Sequence, residues 1–190
     1  MPRAGLSSQR VVEEAELLAD ETGSPAVSLA VLAARLGVRV PSLYKHVAGS
    51  DALQRLISIR AKSELADVLG RATVGMARDE AVGALSRAYR DWATAHPGRY
   101  AATLRAPKSD DADDVDASER AIRVIFDALA GYGLVGEDAI DATRLLRASL
   151  HGFISLDAAG GFGLPHVDRT FARLVASAQL MLTEWRPVTI

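Results

Sequence analysis

The chain has 190 residues, of which 49% are hydrophobic and 24% are charged, and its formal net charge is −2. This composition is typical of a globular protein and excludes a disordered chain. The absence of cysteine excludes disulfide bonds, Cys-ligated zinc and cysteine nucleophiles. No apolar run is long enough for a transmembrane helix and residues 1–10 lack a signal-peptide core, so we expect a cytoplasmic protein with no membrane partner. The net charge excludes a uniformly basic nucleic-acid coat but allows a local basic face.

Apolar residues recur at helical spacing along the whole chain, and the alternating pattern of strands with Asn-Gly or Asp-Gly turns is missing. We therefore predict an all-α fold of about nine helices, with a three-helix N-terminal head and a helical body that meet near residue 50. The predicted body consists of apolar stripes at 53–69, 82–96, 122–132, 140–159 and 171–185. Residues 110–119 carry six acids and no base, which indicates a solvated loop that runs into a helix start.

The segment between the second and third predicted helices, at 29–36 and 40–47, has the features of a helix-turn-helix. Gly37 permits a left-handed backbone, and Val38 can fill the space between the helices. Pro41 suits the first turn of a helix, where its missing N–H costs nothing. In this motif the second helix lies in the major groove of DNA.

The third predicted helix has one apolar and one polar face. Leu43 and Val47 face inward, and the residues expected to face outward are Ser42, Lys45 and His46. Residues 23–49 contain no acid and three bases, which are Arg35, Arg39 and Lys45. Phosphate groups would therefore meet a locally positive face on an acidic protein.

At these residues the sequence resembles the tetracycline-repressor (TetR) family of transcriptional regulators. Leu43-Tyr44-Lys45-His46-Val47 matches the family signature Leu-Tyr-x-His-Phe with valine in place of phenylalanine, and the segment from Ser28 to Val38 matches the preceding helix and turn. The match covers residues 8–57. Ser50 stands where the family often has a lysine that touches a phosphate.

The resemblance implies a double-stranded DNA operator as partner. The candidate contacts are Ser28, Arg39, Pro41, Ser42, Tyr44, Lys45, His46 and Ser50. Arg39 would read a guanine edge, neutralise a phosphate or remain a spectator. Tyr44 would bind a phosphate or lie half-buried in the core. Ser28 is first an N-cap, and it could also contact a phosphate.

The body also resembles a known type. Leu150-His151-Gly152-Phe153, followed by the run Gly160-Gly161-Phe162-Gly163-Leu164-Pro165, is similar to the C-terminal domain named for a Trp-His-Gly (WHG) motif, with leucine in place of tryptophan. The likeness extends over residues 89–185. It implies a helical body, residues 51–190, that dimerises and senses a ligand, while residues 1–50 bind DNA.

Two sets of body residues are candidates for these roles. The ligand-pocket candidates are Tyr89, Trp92, Tyr100, Phe126, Leu146, His151 and Phe153. The homodimer-interface candidates are Leu150, Phe171, Leu174, Ala178, Met181 and Trp185. An aromatic side chain on a helical stripe is more often plain core than pocket wall, and His151 could instead satisfy a structural polar partner.

The sequence carries no catalytic signature. Its four histidines are scattered, and H-E-x-x-H, Walker and G-x-S-x-G patterns are missing, so we expect no catalytic residue, no metal and no cofactor. The favoured interpretation is a ligand-responsive DNA-binding regulator that acts as a repressor. A small hydrophobic or amphipathic effector of unknown identity would release it from a palindromic operator. The alternative is a helical small-molecule binding protein or cofactor-independent enzyme that uses the body cavity, with Asp157 or His151 as base.

Overall fold

The computed structural model describes residues 6–163 and 165–186, and all regular structure in that range is helical, as predicted. The nine α-helices of the described residues are α1 (Ser8–Thr22), α2 (Leu29–Leu36), α3 (Val40–Leu43), α4 (Ser50–Thr73), α5 (Arg78–Ala95), α6 (Pro97–Thr103), α7 (Ala112–Leu129), α8 (Gly136–Ala158) and α9 (Val167–Thr183). A short 3-10 helix spans Ala130–Tyr132. Within the described residues, no helix is long and apolar enough to cross a membrane. Leu164, in the predicted glycine-rich loop, lies outside the described residues.

The chain forms two compact units, each of which combines two segments that are separate in sequence. The first unit contains the residues up to Glu64 together with Ala95–Ser118, and the second contains Leu65–Thr94 together with the residues from Glu119 onward. The first unit therefore includes α6 and the first turns of α7, which no sequence pattern associated with the head. The functional boundary near residue 50 stays a prediction.

The first unit is built around the apolar faces of its N-terminal helices. Ser7 caps α1, because its hydroxyl accepts a hydrogen bond from the Arg10 amide at 3.2 Å, and Gly23 ends the helix with a φ of 64°. The buried side chains that form one cluster here include Val11, Ala15, Leu32, Leu43, Leu53, Ile57 and, from α6, Ala102.

Helix α6 lies directly against the end of α1 at a glycine. A Cβ on Gly98 would come within 1.9 Å of the Ala19 carbonyl oxygen, so only glycine fits this approach. Arg99 secures the contact: its backbone amide and Nε donate to the two oxygens of Asp20 at 2.9 and 2.7 Å, and its Nη1 donates to Glu64 at 2.7 Å. These bonds join α6 to both α1 and α4.

The acidic run at 110–119 enters a helix as predicted, but it is not solvated throughout. Helix α7 already begins at Ala112, and Asp114 is fully buried beside Lys62, with 2.6 Å between Oδ1 and Nζ. Asp111 and Asp113 bind Arg55 on α4. Three of the six acids therefore pair with specific cations, which a charge count along the chain does not reveal, and the other three are exposed, as predicted.

The second unit has an aromatic cluster. The ring of Phe153 on α8 lies 4.8 Å from that of Phe162 and 5.1 Å from that of Phe171 on α9, measured between centroids. The guanidinium of Arg90 on α5 lies 4.8 Å from the centre of the Phe171 ring and forms ion pairs with two carboxylates, Asp157 and Asp168. This arrangement joins α5, α8 and α9.

Candidate DNA-binding interface

The turn between α2 and α3 has the predicted geometry. Gly37 adopts a φ of 69°, and its amide donates to the Ala34 carbonyl at 3.1 Å. The next amide, from Val38, donates to the Ala33 carbonyl at 2.9 Å, and the Val38 side chain is half-buried against the core. These two bonds end α2 and redirect the chain into α3.

Helix α3 is shorter than predicted, with four residues followed by a turn through His46. Its orientation is nevertheless as expected, because Leu43 and Val47 are buried at 0% and 4% exposure. Pro41 lies in the first turn, and the amide of Val47 still donates to the Leu43 carbonyl at 3.0 Å. The apolar face therefore anchors a short element whose other face meets solvent.

The exposed face carries the charged and aromatic candidates. Arg39 and Lys45 are exposed, and so is Tyr44, whose exposure of 57% excludes the half-buried core alternative. Ser42 and His46 are only half exposed, so they contribute less surface than the sequence pattern suggested. Ser50, the first residue of α4, is exposed as well.

Ser28 occupies the N-cap position of α2, as predicted, but its side chain makes no capping hydrogen bond. Only its carbonyl takes part in the helix, as acceptor for the Leu32 amide at 2.9 Å. The predicted capping bond was wrong. The exposed hydroxyl is free of that bond and available to a ligand.

Arg35 does not belong to the positive face. Its guanidinium lies 2.5 Å from Glu14 and 2.5 Å from Glu21, both on α1. The hydrogen bond from Arg35 lowers the pKa of Glu21 below its ordinary value, so the glutamate stays charged beside it. The positive charge of the exposed face therefore comes from Arg39 and Lys45.

The pocket candidates fall into two groups. Tyr89, Trp92, Leu146 and Phe153 are buried in the second unit, whereas Tyr100 is buried in the first. The two remaining candidates, Phe126 and His151, are half-buried in the second unit. Their role in ligand binding stays a prediction.

Three of the dimer candidates expose little surface, and the interface itself stays a prediction. Leu150, Phe171 and Ala178 are buried within their own chain, at 1%, 5% and 8% exposure, so they have little surface to offer a second copy. The half-exposed candidates are Leu174, Met181 and Trp185, and the Nε1 of Trp185 donates to Asp138 at 2.9 Å.

The exposed faces of α8 and α9 carry apolar residues that were not among the predicted dimer candidates. The exposed leucines are Leu145, Leu156 and Leu180, at 47%, 52% and 64%. Between them α8 presents small side chains, namely Ala148, Ser149 and Ser155. Together with the half-exposed Gly152, the α8 positions recur every three to four residues, which is a second helical stripe beside that of the buried face.

Comparison with known proteins identifies this combination of head and body. A family model described as the tetracyclin repressor-like C-terminal domain matches residues 82–178. An uncharacterized HTH-type transcriptional regulator of Mycobacterium tuberculosis is 36% identical over 90% of this chain and 79% of that protein. The HTH-type regulator YobS of Bacillus subtilis is 36% identical over 85% of this chain and 84% of its own length.

Solved structures share the fold. The regulatory protein SCO4313 is 26% identical with a TM-score of 0.70, over 90% of this chain and 96% of that one. A tetracycline repressor variant of Acinetobacter baumannii, solved with minocycline, has a TM-score of 0.66 at 17% identity, over 97% and 99% of the two chains. The relatives are regulators rather than enzymes, and the present chain likewise carries a helix-turn-helix and a helical C-terminal body. It belongs to the tetracycline-repressor (TetR) family of HTH-type transcriptional regulators.

Proposed function

We propose that this regulator is a homodimeric repressor that a small hydrophobic or amphipathic effector releases from a palindromic operator. The observation that carries the DNA contact is the exposed set Arg39, Tyr44 and Lys45, held over the buried side chains of Leu43 and Val47. Two such sets, one from each copy, would meet successive major-groove faces about 34–36 Å apart. Because the proposed target is chromosomal DNA, we expect the protein in the cytoplasm.

Two variants test the DNA contact, one at a lysine and one at an arginine. Lys45→Ala should weaken binding to all DNA sequences alike and lower the slope of log affinity against log salt by about one. Arg35→Gln is the matched control: it removes an equal charge from the same segment, but that charge already binds Glu14 and Glu21. The control should leave the slope unchanged. The measurement is fluorescence anisotropy on DNA from upstream of the protein's own gene.

The result depends on the comparison between the two variants. Equal slopes for Lys45→Ala and the parent would remove Lys45 from the interface. A smaller slope for Arg35→Gln would mean that its ion pairs open when DNA binds. Failure of the parent to bind any upstream or selected duplex would overturn the proposal itself.

The proposed dimer rests on the exposed stripe of α8 and α9. Leu145, Leu156 and Leu180 would serve as apolar contacts, and the small side chains between them would let the helices of two copies approach closely. Two helices from each copy form a four-helix interface with two-fold symmetry. A groove of about 530 Å³ lined by Leu145, Met181 and Trp185 continues this face.

Sedimentation at micromolar concentration tests the dimer. Leu180→Glu should give a monomer, because each copy would then bring a charged side chain into the proposed apolar contact. Leu104→Glu is the control, since Leu104 is a leucine of similar exposure, 45%, on the first unit. A parent protein that sediments as a monomer would refute the paired-half-site arrangement as well.

The proposed effector site is the apolar interior of the second unit. Its two buried polar residues among the described ones, Ser86 and Thr143, are uncharged, which favours an uncharged or amphipathic ligand over an ionic one. A thermal-shift screen of such compounds identifies a ligand. Trp92→Ala and Phe126→Trp should then alter its affinity while operator binding without ligand stays close to that of the parent. Unchanged ligand affinity in both variants would make these aromatics plain core.

A further inference from the structure

Helices α4 and α7 are joined by ion pairs at two levels in the first unit. At the outer level, Arg55 binds Asp111 and also Asp113, the latter at 2.9 Å. At the inner level, Lys62 binds Asp114 at 2.6 Å. The first level is partly open to solvent, whereas the side chains of Lys62 and Asp114 are only 4% and 1% exposed.

The inner pair is incompletely satisfied. The second carboxylate oxygen of Asp114, Oδ2, is buried and has no hydrogen-bond partner among the described residues. The buried hydroxyl of Ser58, one turn before Lys62 on the same face of α4, has none either. A buried ion pair with such neighbours is a poor source of stability, since an apolar pair of similar volume is often as stable or more so.

Separating the two charges would cost much more free energy than the formation of the pair contributes to stability. Two charges would then lie in the interior without compensation, and water could not reach them without opening the core. The exposed pair of Arg55 and Asp113 carries no such penalty, because water can replace each partner. The inner pair therefore forces α4 and the start of α7 to keep one relative position.

We infer that the buried Lys62–Asp114 pair couples α7 to the DNA-binding head, so that α4 and the first turns of α7 move as one body. The inference rests on the proposed function and specifies the two helices through which a conformational change would be transmitted. α4 begins directly after the helix-turn-helix, and both α4 and α7 also supply residues to the second unit. By linkage, a change at either end that shifts one helix must bias the other.

The free protein provides the first test, by hydrogen–deuterium exchange in two segments, 50–64 and 110–118. Asp114→Asn, which leaves Lys62 buried without its counter-charge, should accelerate exchange in both segments by the same factor, about ten-fold or more. Asp67→Asn is the control. It breaks the exposed pair between Asp67 and Arg120 on the same two helices, where the distance is 3.1 Å, and should change neither segment.

A single responding segment, or none, would overturn the coupling. Should Asp114→Asn fail to fold, the double variant Lys62→Met with Asp114→Leu replaces it. This variant should melt at or above the parent temperature, yet the protection factors of its two segments should differ by about ten-fold, whereas those of the parent should agree. Equal protection factors in the folded double variant would also overturn the coupling.

DNA provides the second test, because linkage is reciprocal. A duplex selected from a random pool by the parent protein should slow exchange at 110–118 in the parent, although the proposed contacts lie at 28–50. The double variant should bind the same duplex but show less than half of that slowing. A bound duplex that leaves 110–118 of the parent unchanged would overturn the inference. A selection that enriches no duplex would instead overturn the proposed function, and the free-protein exchange would still decide the coupling.

Discussion

The two units of this protein both have a buried apolar core, but they differ in the contacts that add to it. In the first unit the helices are also joined by ion pairs, such as those of Arg60 with Glu16 and of Arg99 with Asp20. In the second unit the helices meet through rings and aliphatic side chains, with Phe153 between Phe162 and Phe171. Ion pairs occur there too: Arg90 lies against a ring and pairs with two acids, and Arg120 pairs with Asp67 on the surface.

The difference fits the roles proposed above for the two units. Charge pairs have directional geometry, so those of Arg99 hold the short helix α6 in one arrangement. Apolar packing is less directional and tolerates rearrangement around a guest. A head that presents side chains to DNA needs the first property, and a body that accepts an effector needs the second.

The largest expected effect tests the aromatic cluster of the second unit. Phe153→Ala should destabilise the protein by about 4 kcal/mol, because the ring is 4% exposed and its removal leaves a cavity between α8 and α9. Denaturant unfolding measures the loss. Phe153→Leu, which keeps much of the volume, should cost far less, and equal losses would show that the cavity is not the cause.

A comparable effect in the first unit should come from one methyl group. Gly98→Ala should cost about 3 kcal/mol, since the added Cβ would overlap the Ala19 carbonyl and force α6 away from α1. Gly70→Ala is the control, because a Cβ there meets nothing within 4 Å. In the interior of α4 the alanine should stabilise by up to about 1 kcal/mol. A Gly98→Ala variant as stable as its parent would refute the close approach.

A smaller effect should separate recognition from stability. Arg39→Ala should leave the unfolding free energy within about 0.5 kcal/mol of the parent, because Arg39 is an exposed side chain. If Arg39 reads a base, the variant should lose about 1–3 kcal/mol of discrimination at one operator position. Binding to a library of single-base operator variants provides the measurement. Unchanged selectivity would make Arg39 a backbone contact or a spectator.

The smallest effect concerns pH. The hydrogen bond from Arg55 lowers the pKa of Asp111 below 3.8, with further help from the Asp114 amide and the charges of Arg55 and Arg105. The bridge therefore contributes stability above pH 3.8, and the contribution disappears as pH falls through the lowered value. The melting temperatures of the parent and of Asp111→Asn should converge on acidification. A constant difference would show that ionisation of Asp111 is not involved.

Much of the head could be predicted from local sequence. Gly37 needs a left-handed backbone, Pro41 suits a first helical turn, and Leu43 with Val47 defines one helical face, so these residues determine the motif within one short segment. The helical class of the body followed in the same way from spacing. Such signals depend only on neighbours in the chain.

Other features depended on residues far apart in sequence. No pattern along the chain indicated that Arg35 would bind Glu14 and Glu21, which removes it from the DNA face. Nor did any pattern show which of two apolar stripes on α8 is buried, because both repeat at helical spacing and only the packing of α9 decides between them.

The sequence by itself determined the all-helical class, the helix-turn-helix and the inward face of its second helix, because periodicity and turn chemistry are local properties. Only the tertiary structure decided that α6 belongs to the first unit, that Asp114 is buried beside Lys62, and that Leu150 is buried within its own chain. Those outcomes depend on which helix surfaces pack together. Packing between segments that are distant in sequence decides which side chains are buried and which charges pair, and the order of residues along the chain does not show it.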